Sequence, residues 1–563
     1  MRSRIKAHLR VLLLALIVMS VSVVACGRGA LSIGGGRTVT ITMIYGSEKE
    51  EWLVPLIEAF NAQGNRTEEG ASILVQAMPM GSIASGDGIV AGTLRPTIWS
   101  PASSAYVPVT NTNWRQEHGE DLVVGTPNDL VLSPVVIALW RPMAEALGWP
   151  EKALGWADIA EMATSEEGWA AFGYPEWGAF KFGHTHPNFS NSGIISVIAE
   201  AYAGAGKQRN LTLQDLRDPE LKAFMADVES SIIHYGESTG FFARRMFERG
   251  PSYLSAAVMY ENLVAAQEAK RLSGESDQPS VVAIYPKEGT FWSNHPYIIL
   301  NAPWVTDEQR EAAQIFEAFL LAEPQQRGSI EYGFRPADPS IALGSPLDGQ
   351  HGVDPTQPQT ILEVPSAEVV VAIQELWRSE AKKPVDVVVV MDTSGSMDGK
   401  KIASARSSLI QFIDLMDDRD RLEVVLFSDQ MVTLTDLSPL GRKRQDVRSR
   451  VSGVIEGGDT MLYDAIQFAY AELEAKGDPD HIRAIVALTD GKDTASELPL
   501  SQLIDRIGAQ SESGDATKIF TIAFGQAADR EVMQRIAEIT GGKQYDSDPE
   551  TIAEIYAEIA TFF

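Results

Sequence analysis

The sequence predicts an α/β protein in two parts, a two-lobed mixed α/β unit followed by a doubly wound unit built on a parallel sheet. Three features carry that reading. Val385 to Met391 is a nearly unbroken run of β-branched and apolar residues, the pattern of a parallel strand covered by helices on both faces. From there strands and helices alternate to the end of the chain. Ahead of it, strand-like runs separated by polar turns lead into helices, which suggests two lobes around a cleft.

At 563 residues the chain exceeds one core, and about 150 residues per domain allows two to four. A hydrophobic share of 44% with 22% charged residues is that of a globular protein. The net charge of -29 argues against nucleic acid as a partner, because neutralising phosphates takes clustered Lys and Arg.

Arg2, Arg4, Lys6 and Arg10 precede the apolar run Val11 to Val24, the pattern of a secretion signal over residues 1–25. As a helix that run would reach about 21 Å, short of the ~30 Å of a bilayer core. Val23-Val24-Ala25-Cys26 resembles the bacterial lipobox, which implies cleavage before Cys26 and lipidation of its sulfur on the outer face of the cell membrane. Cys26 is also the sole cysteine, so disulfides and thiolate zinc sites are excluded. Removing the four basic residues takes the formal charge from -29 to -33, so lipid rather than electrostatic attraction must hold the chain to an anionic membrane. Residues 26–36, with Gly34-Gly35-Gly36, read as a tether.

Residues 37–382 form the first unit. Thr38 to Tyr45 reads as a strand, followed by the turn Gly46-Ser47-Glu48 and the amphipathic run Trp52 to Asn61. Thr97-Ile98-Trp99-Ser100 repeats the theme, and Leu130 to Trp140 is an apolar strand interrupted at Ser133-Pro134. Phe182 to Gly193 is a polar turn opening a helix from Ile194 to Ala203, and Ala256 to Asn262 carries Tyr260-Glu261. These pieces resemble the extracellular solute-binding proteins of ABC importers, of the type whose chain crosses twice between lobes. Pro187-Asn188-Phe189-Ser190-Asn191-Ser192-Gly193 is similar to the turn of members that bind oxyanions. Ser47, Ser100, Ser190, Asn191, Ser192 and Tyr260 are the candidate ligand-binding residues, neutral donors at turns beside helix amino ends. Ser190 and Ser192 also suit plain helix capping. His184 and His186 invite a metal reading but lack a third ligand in sequence, and a polar turn accounts for them.

Leu343 to Gln359 is rich in Gly, Pro and Asp and reads as irregular; Ala367 to Glu380 reads as a helix, and Lys382-Lys383-Pro384 as the joint. Residues 383–563 then open on the apolar strand. At its carboxyl end stand Asp392, Ser394 and Ser396, small oxygen donors suited to a hard divalent cation such as Mg²⁺, whose octahedral shell they cannot fill alone. In a doubly wound sheet the remaining ligands come from neighbouring strand ends. Thr460 after Glu456-Gly457-Gly458-Asp459, and Asp490 in Thr489-Asp490-Gly491 after Ile482 to Leu488, stand where required. Any one piece is an ordinary turn, but the three in order match the motif of the von Willebrand factor A (VWA) domain at all five positions. The resemblance implies a Rossmann-like fold and a metal-ion-dependent adhesion site. In it Ser394, Ser396 and Thr460 touch Mg²⁺ or Mn²⁺, Asp392 and Asp490 act mostly through water, and a partner protein supplies a carboxylate.

Lys400 to Met416, Met461 to Glu474, Glu531 to Ile539 and Thr551 to Phe562 read as helices; Arg421 to Phe427 and Lys518 to Phe524 read as strands. No phosphate-binding Gly-rich loop with Lys, no Gly-x-Ser-x-Gly and no His-Glu-x-x-His occurs, so the chain reads as a binding protein rather than an enzyme. Two functions remain: a surface receptor with a solute cleft and a metal-dependent protein contact, or the receptor of an ABC importer that delivers solute to a permease.

Overall fold

The structure is a computed structural model describing residues 37–508, 517–560 and 562. The signal segment, Cys26 and the tether lie outside the described residues. Among the described residues no helix is long and apolar enough to cross a membrane.

The first lobe is built on Thr38–Tyr45, paired in parallel with Ser72–Pro79 and Ile98–Ser100. Pro296–Ile299 adds to that sheet antiparallel, and Asn128–Asp129 ends it. In the second lobe Val131–Trp140 is central. The Ser133-Pro134 interruption does not occur: the pair lies opposite Trp292–Ser293, within one continuous ten-residue strand. Ala256–Tyr260, Val281–Ile284 and Arg335–Pro336 also pair antiparallel with it. The chain crosses between lobes near residue 130 and again between Ser293 and Pro296. A third crossing, beyond the two of the resemblance, brings Arg335–Pro336 back to the second lobe's sheet. The route to the C-terminal domain therefore leaves from the second lobe.

Ala367–Leu376 is a helix whose last turn widens at Trp377–Ala381, where Pro384 stops it and Val385–Asp392 begins. That strand is fully buried, with Arg421–Phe427 and Ile482–Thr489 parallel on either side. The six-stranded order places Met431–Pro439, antiparallel, at one edge and Lys518–Phe524 then Gln544–Ser547 toward the other. Alternate residues face opposite layers. Val387 and Val389 pack with Leu409, Phe412 and Tyr556, whereas Val388 and Val390 pack with Ile466, Leu503 and Ile536. Each such side chain taken out of water contributes about 1.5–3 kcal/mol, so helices on both faces are what make the all-apolar strand tenable.

The amino ends of these strands rest on the second lobe. Arg245 donates to the carbonyls of Gly541 and Gly542 at 3.2 and 3.3 Å, and the Tyr235 amide donates to the Phe562 carbonyl at 3.2 Å. Arg419 donates to the carbonyls of Arg378 and Lys382, and the Lys382 ammonium lies 3.1 Å from Asp417. Trp377, fully buried, meets Tyr235 and His186 edge-on at 5.3 and 4.9 Å. One apolar core runs from the second lobe through Trp377 into the C-terminal domain. Trp377→Ala is expected to cost about 3–5 kcal/mol, the usual range for emptying a buried Trp site. In urea melts followed by hydrogen exchange, it should split a single wild-type transition into two, with the C-terminal domain and the lobes losing protection separately.

Candidate functional sites

The loops at the carboxyl end of the C-terminal sheet meet around one small cluster. The sheet order reverses between Arg421–Phe427 and Ile482–Thr489, on either side of Val385–Asp392, and the crevice at that reversal is where doubly wound folds bind ligands. Asp392 is buried, and both its oxygens are engaged: Oδ1 accepts the Ser394 amide at 2.7 Å and Oδ2 accepts the Thr489 hydroxyl at 2.5 Å. Burial raises its carboxyl above the usual range, the Ser394 and Thr489 hydrogen bonds oppose that rise, and Asp490 adds to it. Ser394 and Ser396 hydroxyls lie 3.0 Å apart, and Ser396 donates to Asp490 Oδ1 at 2.6 Å. Gly491 brings Thr460 into the group: a Cβ at that glycine would stand 3.8 Å from Thr460 Oγ1 and 3.9 Å from Ser396 Oγ. Backbone bonds Gly395 N to Gly458 O and Gly457 N to Thr393 O, at 3.0 and 2.7 Å, tie the two loops together.

Sequence reasoning missed Lys401. Its ammonium bonds Asp490 Oδ2 and the Ser396 carbonyl, so a positive charge already leans on the cluster. The signal was present, a Lys in the first turn of the helix Lys400–Leu415 that follows the loop. Three hydroxyls and two carboxylates in this arrangement could hold a hard divalent cation through oxygen.

The cleft residues meet as well, but across a closed interface. Asn191 accepts from Ser103 of the first lobe at 2.7 Å and donates to the Tyr260 hydroxyl at 3.0 Å. Ser192 lies 2.7 Å from Thr185 and accepts from Thr239 at 2.8 Å, while Ser190 reaches Thr239 at 3.4 Å. Ser47 bridges to Ser238 at 2.9 Å and accepts the Gly240 amide at 3.1 Å. A Cβ on Gly240 would come within 2.9 Å of Ser47, so glycine is what permits this approach. Ser100 is fully buried with its hydroxyl unpartnered. The helix starts at Asn191, earlier than the sequence reading, and the Ser190 side chain makes no cap bond, so capping does not explain these residues. Ser103, Ser238 and Thr239 were overlooked; the turn Gly236-Glu237-Ser238-Thr239-Gly240 before the helix Thr239–Arg249 was their signal. Beside Ser47 a cavity of about 470 Å³ opens outward, lined by Trp52, Arg244, Asn262 and Phe334 among others.

Under the cleft lies a fully buried ion group. Lys49 Nζ is 2.9 Å from Glu48 and 3.2 Å from His295 Nδ1. Burial opposes the charge on Glu48, yet Lys49 and His295 together hold its carboxyl down at about 2. Burial, then Lys49, pushes His295 down to about 4.

A family model described as bacterial extracellular solute-binding protein matches residues 41–335, more than half of the chain. The chain belongs to that family. A second model, the von Willebrand factor type A domain, matches residues 386–558, so the solute-binding protein carries a VWA domain behind it. An uncharacterised protein of Mycobacterium tuberculosis H37Rv is 22% identical over 503 residues, covering 83% of this chain and 68% of that one. Among solved structures, a periplasmic thiamin binding protein is similar over 63% of this chain and all of its own, at 11% identity and a TM-score of 0.45. The mussel byssus protein PTMP1 with a zinc-occupied MIDAS motif is similar over 32% of this chain and 47% of its own, at 17% identity and a TM-score of 0.28.

The His295 contribution has a definite pH sign. With its folded value near 4 against an ordinary 6.5, unfolding takes up a proton between those limits. The stability difference between wild type and His295→Gln should therefore be full above about pH 6.5 and shrink as pH falls toward 4, by at most roughly 1.4 kcal/mol per unit. Paired urea titrations of the solute-binding protein and this variant check it, and a difference that grew on acidification would contradict it.

Proposed function

We propose that the protein is an extracytoplasmic binding protein, lipid-anchored through Cys26, with two recognition surfaces. The lobe cleft takes a small solute of the oxyanion class. The VWA domain holds Mg²⁺ or Mn²⁺ at Asp392, Ser394, Ser396, Thr460 and Asp490, and through that ion binds a carboxylate of a partner protein. The families matched are of the binding and adhesion type, and VWA domains commonly carry such a divalent-metal site.

The observation that carries the reading is polarity of placement. The amino ends of the VWA strands are sealed against the second lobe, while the hydroxyl and carboxylate cluster stands at the opposite end with Gly395 and Ser396 exposed to solvent. Ile455, 80% exposed, stands on the loop that ends in Thr460 and offers an apolar contact to a partner. Asp392, whose oxygens already accept the Ser394 amide and the Thr489 hydroxyl, would support the ion mostly through water, and Lys401 would have to yield Asp490 to it. In the cleft, the helix amino ends at Asn191 and Thr239 and the neutral hydroxyls around them suit an anion that carries its charge in with it.

Asp392→Ala should weaken Mn²⁺ or Mg²⁺ binding by about 10–100-fold, as outer-shell losses do. Lys401→Met should strengthen it by removing the competing ammonium. Calorimetry of residues 37–563 reads both, and equal heats in wild type and Asp392→Ala would sink the metal reading. For the cleft, Asn191→Ala with Ser192→Ala should lower affinity for whichever oxyanion a thermal-shift screen selects by roughly 5- to 150-fold, two lost hydrogen bonds at about 0.5–1.5 kcal/mol each. Unchanged affinity would move the solute site elsewhere.

A further inference from the structure

In the second lobe, beneath the turn that carries Thr185, three ligating side chains meet in the interior. His184 follows the short strand Phe182–Gly183, Glu200 lies within the helix Asn191–Gly204, and Glu229 ends the helix Pro219–Glu229. All three are fully buried, and one ligand atom from each lies within 4.8 Å of the others. Neither oxygen of Glu200 has a hydrogen-bond partner. A carboxylate in an apolar interior with no donor is costly to keep, and an unpaired ionised one far more so.

The surroundings are arranged as they are around metal ligands. His184 Nδ1 lies 2.7 Å from the Thr185 carbonyl, so that ring nitrogen donates there and Nε2 is the one turned toward the carboxylates. That outer bond is what fixes the tautomer of a metal-ligating histidine. Nε2 lies 2.9 Å from Glu229 Oε1, and the other Glu229 oxygen accepts the Tyr235 hydroxyl at 2.6 Å, which orients the carboxylate. Two carboxylates exactly offset a divalent charge. One imidazole with two carboxylates is an N/O set that suits Zn²⁺, whose bonds of about 2.0–2.1 Å put tetrahedral ligands about 3.3 Å apart. Glu200, with both oxygens free, can supply the fourth position by binding through both.

We propose that His184, Glu200 and Glu229 bind a structural divalent ion of the zinc class inside the second lobe, separate from the VWA cluster. The ion would pin the segment that runs on from Glu229 to Tyr235, and Tyr235 holds the Phe562 carbonyl and packs on Trp377. The site thus braces the seat of the VWA domain. His186, the other histidine of the turn, is not part of it: its ring faces Trp377 and Phe189.

Elemental analysis of residues 37–563, purified without added metal and washed with EDTA while folded, should find one zinc-class ion per chain. Unfolding in denaturant with EDTA should release it, and refolding with Zn²⁺ should raise the melting temperature by several degrees over refolding without. Glu200→Gln, which keeps the shape, should lose the ion and melt lower, whereas Asp392→Ala should keep it, which separates this site from the VWA cluster. A wild-type chain that holds no ion after refolding with Zn²⁺ would overturn the proposal. So would Glu200→Gln melting at or above wild type, the behaviour of a buried acid that serves no ion.

Discussion

A parallel sheet buried on both faces leaves only its two ends for polar chemistry, and in this protein one of those ends is already taken. Val385–Asp392 and its neighbours are covered by helices front and back, and their amino ends are seated on the second lobe by Arg245, Arg419, Trp377 and Phe562. The carboxyl ends, where the Asp392, Ser394, Ser396 and Asp490 cluster stands, are the strand ends left open. The same seating makes the joint a packed interface, with one apolar core continuing from the second lobe into the VWA domain.

The two surfaces differ in how much was legible beforehand. The VWA cluster could be read because its chemistry is local: an apolar strand stops, and small oxygen residues follow at fixed spacing. Thr460 and Asp490 needed only the rule that strand ends converge. The cleft was harder. Asn191, Ser192 and Tyr260 could be named from turn composition, but their partners Ser103, Thr239 and Ser238 are set by how the lobes close, which no local spacing encodes. The strands at the two edges escaped as well. Gln544–Ser547 and Met431–Pro439 are too brief or too exposed for an apolar run to mark them.

Histidines show the limit most clearly. His184 and His186 sit two apart in a turn of polar composition, and both are buried. The residues that give His184 a role, Glu200 and Glu229, lie on two helices many turns of chain away. Only packing brings them together. Charge follows the same division: exposed ion pairs on this acidic surface contribute little, while the Glu48–Lys49–His295 group and the second-lobe carboxylates are buried and so decide what their surroundings must supply.

A divalent ion held by the VWA cluster would sit at the free end of the sheet, facing away from the solute domain. A crystal of residues 37–563 grown with Mn²⁺ and measured at the manganese edge tests it directly. An anomalous peak is expected within bonding distance of the Ser394 and Ser396 hydroxyls, at the end of the sheet opposite Arg245 and Phe562. An absence of density there, with Lys401 still bound to Asp490 at saturating Mn²⁺, would contradict it.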